Sequence, residues 1–271
     1  MPELPEVETI VRGLAPRVEG RLLRAVKVHR PDVVAGEPAD RFAAALAGRR
    51  VTRLRRRAKW IVAELDEGVL LGHLRMTGRL QCLDRTTPDP PYTALVFHLD
   101  DDVRLAYADV RRLGRWRRLS TAAWAAEEAH LGPEPLDEAF TPAQLAARLA
   151  RSRRPLKIWL LDPRNVAGVG NIYAAEALFR AGLDPRRPAA SLAPAEVSRL
   201  HAALRHVLTE ALTHQGTTFR DYRTADGADG AFRRWLRVYG RAGQPCVVCG
   251  SVLERLVQGG RSTVFCPVCQ R

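Results

Sequence analysis

Removal of Met1 from this 271-residue chain would leave Pro2-Glu3-Leu4-Pro5-Glu6, a secondary amine beside a carboxylate. An α-amino group has a pKa of about 7.7–8.0 against about 10.4 for lysine, so about a tenth of it is unprotonated and nucleophilic at pH 7. Attack by Pro2 on an aldehyde-level carbon would give an iminium, a cationic electron sink, with Glu3 placed to shuttle protons. Two prolines and two glutamates are equally compatible with a terminus that does no chemistry.

Two further constellations carry chemistry. Cys246-x2-Cys249-x16-Cys266-x2-Cys269 has the spacing of a ribbon that clasps tetrahedral Zn²⁺ from two turns. Four thiolates leave no open position, which favours one structural ion; paired disulfides are the weaker reading. Cys82 stands apart as an ordinary thiol. Gly168-Val169-Gly170-Asn171 precedes a helical period, but Tyr173 occupies the place of a dinucleotide fingerprint's third glycine. A tight turn offering backbone N–H groups and the Asn171 amide to one phosphate fits better, and a plain helix cap is the rival.

The elements that must position these groups are legible in outline. Leu4, Val7, Val11, Leu14 and Val18 mark one face of a helix with Pro5 in its first turn, anchoring the terminus. Strand-like runs follow at 60–65, 69–74, 94–99 and 103–107, the last two joined by a turn at Asp100-Asp101-Asp102. Residues 1–131 therefore read as a β-sandwich domain and Gly132-Pro133-Glu134-Pro135 as a linker. Helical periods follow at 142–150, Asn171–Ala181 and 194 to about 214, and residues 217–234 read as a mobile loop. The expected class is α+β and multi-domain: 1–131, a helical domain over 132–235, and the zinc ribbon over 236–271.

Lys+Arg number 43 against 30 Asp+Glu, a formal charge of +13, which favours a polyanion and nucleic acid first. An apolar content of 46% supports a packed core. The first thirty residues show no secretory signal and no apolar run spans a bilayer, so an intracellular protein without membrane association is expected.

Taken together, the N-terminal pentapeptide, Arg57-Ala58-Lys59, Met76-Thr77-Gly78, Gly168 through Ala174 and the four-cysteine ribbon resemble the formamidopyrimidine-DNA glycosylase / endonuclease VIII family. Leu4 places the resemblance with the formamidopyrimidine branch. It implies a β-sandwich with flanking helices, a helix-two-turn-helix domain and a zinc finger. It further implies a bifunctional glycosylase and lyase that removes 8-oxoguanine and formamidopyrimidines from damaged double-stranded DNA, working as a cytoplasmic, nucleoid-associated monomer. Pro2 would attack C1′, Glu3 would assist ring opening, and β- and δ-elimination would cut the strand. The lesion must first be extruded.

By the same resemblance Lys59 would act near the lesion, against its reading as one more member of the basic run Arg49, Arg50, Arg53, Arg55, Arg56, Arg57 serving the general field. Glu6 would fix the terminus or contact the opened sugar region; its rival reading, a carboxylate complementing the helix dipole, can hold at the same time. Lys157 and Asn171 match phosphate-binding positions, and Arg261 matches the finger arginine. Met76, Arg111 and Leu113 match the residues that fill the hole left by the flipped base, with leucine where phenylalanine is usual; isolated apolar residues of this kind are more often core. Arg220 stands in the lid over the extruded base where lysine is frequent. The alternatives are a pyrimidine-directed enzyme of the endonuclease VIII kind, a catalytically inactive DNA-binding relative, and a zinc-ribbon regulatory protein.

Overall fold

In the computed structural model, which describes residues 2–271, the first helix, α1, runs Leu4–Val18. Its apolar stripe is buried throughout, together with Ile10. Two four-stranded antiparallel sheets follow. One has the order β1 (Leu23–Val28), β6 (Thr93–Leu99), β7 (Arg104–Asp109), β5 (Gly78–Leu83). The other has the order β2 (Val51–Arg57), β3 (Trp60–Leu65), β4 (Val69–His73), β8 (Arg115–Leu119). Asp101 and Asp102, both at positive φ, close the β6–β7 hairpin.

The expected sandwich is present. Leu54, Ile61, Ala63 and Leu70 of one sheet share a single core with Leu80, Phe97, Leu105 and Tyr107 of the other. Trp116 on β8 meets the rings of Phe97 and Tyr107 at 5.0 and 5.3 Å. Helix α1 and the short α2 (Ala39–Leu46, through Phe42 and Leu46) complete this core. Helix α3, Thr121–Glu128, follows β8.

By packing, the chain divides into two units. The first comprises the residues up to His130 together with His214–Arg233, and the second Leu131–Thr213 with Arg234–Arg271. The second holds α4 (Pro142–Leu149), α5 (Leu156–Leu160), α6 (Asn171–Ala181), α7 (Pro194–Thr213) and the hairpin of β9 (Glu254–Gln258) and β10 (Arg261–Phe265). Among the described residues, no helix is long and apolar enough to cross a membrane.

Two sequence expectations change here. The loop read as part of the middle domain returns to the first unit, where the Cys82 N–H donates to Ala225 O and Arg17 pairs with Asp226. Gly132-Pro133 is no free linker: the Gly132 N–H donates to Pro163 O and Pro133 O accepts from the Ala167 N–H. A Cβ at Gly132 would lie 2.7 Å from the Asn165 carbonyl carbon, so only glycine fits that approach.

Candidate active site and nucleic-acid interface

Glu3 is the N-cap of α1 and forms a capping box with Glu6: each carboxylate accepts the other residue's backbone N–H, Glu3 N to Glu6 Oε2 at 2.8 Å. Both are 1% exposed and Pro2, one residue earlier, is buried beside them. The second Glu6 oxygen accepts the Thr217 N–H at 2.7 Å and thereby ties the terminus to the loop 214–233. Gly216 makes this possible: its φ is +82°, and a Cβ there would stand 2.8 Å from Glu6 Oε1. Fixing the terminus and capping the helix are one arrangement.

Lys59 lies in the two-residue turn between β2 and β3, after Ala58 at φ +53°. An alanine in that conformation costs about 1–2 kcal/mol. The neighbouring arginines are mostly engaged within the protein. Arg55 pairs with Glu64 and Glu128, Arg57 with Glu128, Arg56 with Glu8 and Arg49 with Glu67.

His73, at the end of β4, escaped the sequence reading because it closes the wholly buried run Val-Leu-Leu-Gly-His. Its Nδ1 accepts the Arg75 N–H at 3.0 Å. Burial, then the charges of Arg75 and Lys59, push its pKa from 6.5 down to about 3, so the ring is neutral at physiological pH. A folded pKa below the unfolded one means that the unfolded chain binds the extra proton between the two values. The stabilisation is therefore complete above pH 6.5 and is lost as pH falls toward 3, by at most about 1.4 kcal/mol per pH unit. Urea titrations from pH 7 to pH 4 should show a shallower acid-side loss for His73→Gln than for the parent chain.

Asp109 organises the next cluster. Its buried carboxylate accepts from Thr77 Oγ1, from Tyr107 Oη at 2.8 Å, from the Gly114 N–H at 2.8 Å and from the Arg111 N–H at 3.2 Å. Burial, and then the Asp109 charge, raise the Tyr107 pKa and keep its hydroxyl a donor. The loops carrying Met76 and Arg111–Leu113 are thereby held together. Met76 is 42% and Leu113 36% exposed, so neither is a core residue, and Arg111 is exposed beside them. Arg220 is exposed in the 214–233 loop, its Nε 3.9 Å from Asp221 Oδ1.

The second unit builds a separate cluster. The Asn171 amide donates to Ser262 O at 3.1 Å, while its buried Oδ1 has no hydrogen-bond partner among the described residues. Lys157 departs from expectation. It is fully buried, and its Nζ donates to Ser262 O at 3.1 Å and Thr263 Oγ1 at 2.7 Å, so it braces the finger hairpin and is not displayed to a phosphate. Both groups hold the residue next to Arg261, which opens β10 exposed after the Gly259-Gly260 turn.

The sulfurs of Cys246, Cys249, Cys266 and Cys269 all lie within 4.8 Å of one another, with Cys246–Cys269 at 3.9 Å and Cys249–Cys266 at 3.5 Å. Tetrahedral zinc with Zn–S bonds of about 2.3 Å requires sulfur separations of about 3.8 Å. The cluster fits one structural Zn²⁺, and N–H groups of Val248 and Cys269 point at the sulfurs of Cys246 and Cys266.

Comparison with known proteins agrees with this geometry. Residues 1–116 match the family model of the formamidopyrimidine-DNA glycosylase N-terminal domain and 131–223 that of its H2TH domain. Residues 243–271 match the zinc finger found in FPG and IleRS. The chain belongs to the formamidopyrimidine-DNA glycosylase family. The formamidopyrimidine-DNA glycosylase of Chloroflexus aurantiacus is 46% identical, the alignment covering all of this chain and 98% of that one. That of Moorella thermoacetica is 50% identical over 94% of each. Among solved structures, a point mutant of Lactococcus lactis FPG in complex with Fapy-dG DNA superposes with a TM-score of 0.92 at 32% identity over the full length of both chains. The MutM (FPG) protein of Thermus thermophilus gives 0.88 at 44% identity, covering 99% of this chain and 98% of that one. Within this family frame, His73, Asp109 and Gly216 are the site-building residues that sequence reading missed. Asp109 opens the segment Asp109-Val110-Arg111-Arg112-Leu113-Gly114 that carries Arg111 and Leu113.

Proposed function

We propose that Pro2 is the nucleophile with which this DNA glycosylase and AP lyase removes oxidised purines from duplex DNA. The Pro2 nitrogen bonds to C1′ as the C1′–N bond to the damaged base breaks. Glu3 takes the proton that the amine loses and delivers it to the ring oxygen, the sugar opens and the iminium forms. Loss of a proton from C2′ expels the 3′ phosphate, and a further elimination expels the 5′ phosphate. The observation that carries this reading is the buried capping box of Glu3 and Glu6, which fixes the residue bearing the amine. Lys59 serves as the cation beside the reacting sugar, and Asn171 and Arg261 grip phosphates. Met76, Arg111 and Leu113 fill the vacated stack, and Arg220 belongs to the lid. We read the chain as a monomer acting at the cytoplasmic nucleoid, since one chain supplies every group named and its +13 charge suits DNA.

The test is borohydride trapping on matched duplexes containing 8-oxoguanine or thymine glycol. Preferential trapping on 8-oxoguanine is expected; trapping on neither removes the amine mechanism. A second reading, activity on pyrimidines as well, draws on a Lactococcus lactis FPG structure with oxidised-pyrimidine DNA; comparable rates on both duplexes would favour it. For the wedge, Leu113→Ala should slow excision from intact duplex by about tenfold, the scale of losing 1–2 kcal/mol of apolar contact. Leu113→Phe should retain or raise the rate. Unchanged single-turnover rates in both variants would remove Leu113 from the wedge.

A further inference from the structure

Helix α1 carries Pro2 and Glu3 at its N-terminal end and Glu8 further along. The Glu8 carboxylate is held on both oxygens, Oε1 by Arg12 Nε and Oε2 by Arg56 Nε, each at 2.8 Å. Burial works to raise its pKa, but the two guanidinium groups outweigh burial and keep it charged below the usual range. The same Arg56 side chain, 9% exposed, donates through Nη1 to Ala58 O at 3.1 Å. That carbonyl belongs to the peptide bond leading into Lys59. Ala58 is itself buried and at positive φ, a strained conformation that persists only where its surroundings over-determine it.

We propose that Glu8 and Arg56 form a positioning pair that sets where the Lys59 side chain stands relative to the Pro2 amine. The proposal rests on Lys59 having the role given above. Its physical content is a continuous link from one helix to one turn. Helix α1 fixes the amine at its end, Glu8 on the same helix orients the guanidinium, and the guanidinium fixes the peptide plane from which Lys59 departs. Arginine is needed because its planar fork reaches a carboxylate and a carbonyl at once, whereas a lysine ammonium presents a point charge. Arg55 and Arg57 share a different partner, Glu128 on α3. Misplacement of a reacting group by about 1 Å can cost on the order of 100-fold in rate.

The test uses the full zinc-loaded chain and single-turnover excision at saturating lesion duplex, with Kd and thermal midpoint measured alongside. Arg56→Lys and Glu8→Gln should each lower the rate on the order of 10-fold to 100-fold while leaving DNA affinity in place. Combined with Lys59→Met, the same substitutions should add less than about twofold, because the group they position is gone. Ala58→Gly, which frees the turn without touching the arginine, should reproduce part of the loss. It also carries the test, with the same Lys59→Met combination, should an Arg56 variant fail to fold. Wild-type rates in Arg56→Lys and Glu8→Gln, or losses that multiply undiminished with Lys59→Met, would overturn the positioning pair alone. A wild-type rate for Lys59→Met by itself would instead overturn the role of Lys59 and the pair with it.

Discussion

A chain that keeps Met1, or carries any residue ahead of Pro2, will bind lesion duplex but will neither trap with borohydride nor cut the strand. The expected loss in excision rate is on the order of 10³-fold or more, the scale seen when an essential nucleophile is removed. Acylation turns the Pro2 nitrogen into an amide with no lone pair to give, so no C1′ bond forms. The fold should survive, because α1 is anchored through Leu4, Val7, Ile10 and Leu14, all at 0% exposure. Pro2→Gly is the discriminating control. It leaves an unblocked primary amine of ordinary pKa at the same site, so trapping should persist at a reduced rate. Mass spectrometry of the terminus, run with the kinetics, separates blocked from unblocked chains. Undiminished scission by a fully blocked chain would remove Pro2 from the chemistry.

This outcome depends on features that differed in legibility. The α1 stripe, the four apolar strand runs with the turn at Asp100–Asp102 and the four cysteines are readable because each has a simple period or spacing. Strand β2 was not, since Thr-Arg-Leu-Arg-Arg-Arg hides its buried Val51 and Leu54 among arginines. What a sequence cannot show is that those arginines meet Glu8, Glu64 and Glu128. Strands β1 and β8 were missed for the same reason, each showing few fully buried residues. Lys157 shows the opposite failure. A lysine near phosphate-binding positions reads as a phosphate ligand, yet its ammonium closes inward on Ser262 and Thr263, about a hundred residues away in sequence. The tie between Glu6 and Thr217 is likewise a long-range contact, which also explains why the 214–233 loop left the middle domain.

That inward lysine makes zinc removal the second large effect. The apolar cluster of the second unit joins Ala175 and Phe179 of α6 to Val238, Leu253 and Val264, with Cys246 and Cys266 among its members. Glu176, also on α6, accepts the N–H groups of Arg237, Val238 and Tyr239 at 2.9 Å each and so holds the chain leading into the finger. Structural zinc contributes about 10–16 kcal/mol of apparent binding free energy in small finger peptides, so a metal-free ribbon of this size does not hold its hairpin. Without the hairpin, Lys157 loses Ser262 O and Thr263 Oγ1, while Arg261 loses its fixed position. Cys249→Ser or exhaustive chelation should therefore release the metal and weaken lesion-duplex binding on the order of 100-fold. The slope of log Kd against log salt should also fall by about one phosphate contact. The apolar core that α1 and the two sheets share is built from residues of the first unit, Val7 through Ala225. Its unfolding transition should consequently persist, and Pro2 should still trap at DNA concentrations that saturate the weakened complex. Zinc release measured with a colorimetric chelator, beside anisotropy titrations at two salt concentrations, decides the matter. Full metal loss with affinity and salt slope unchanged would mean that neither Arg261 nor the hairpin Lys157 braces takes part in gripping the duplex.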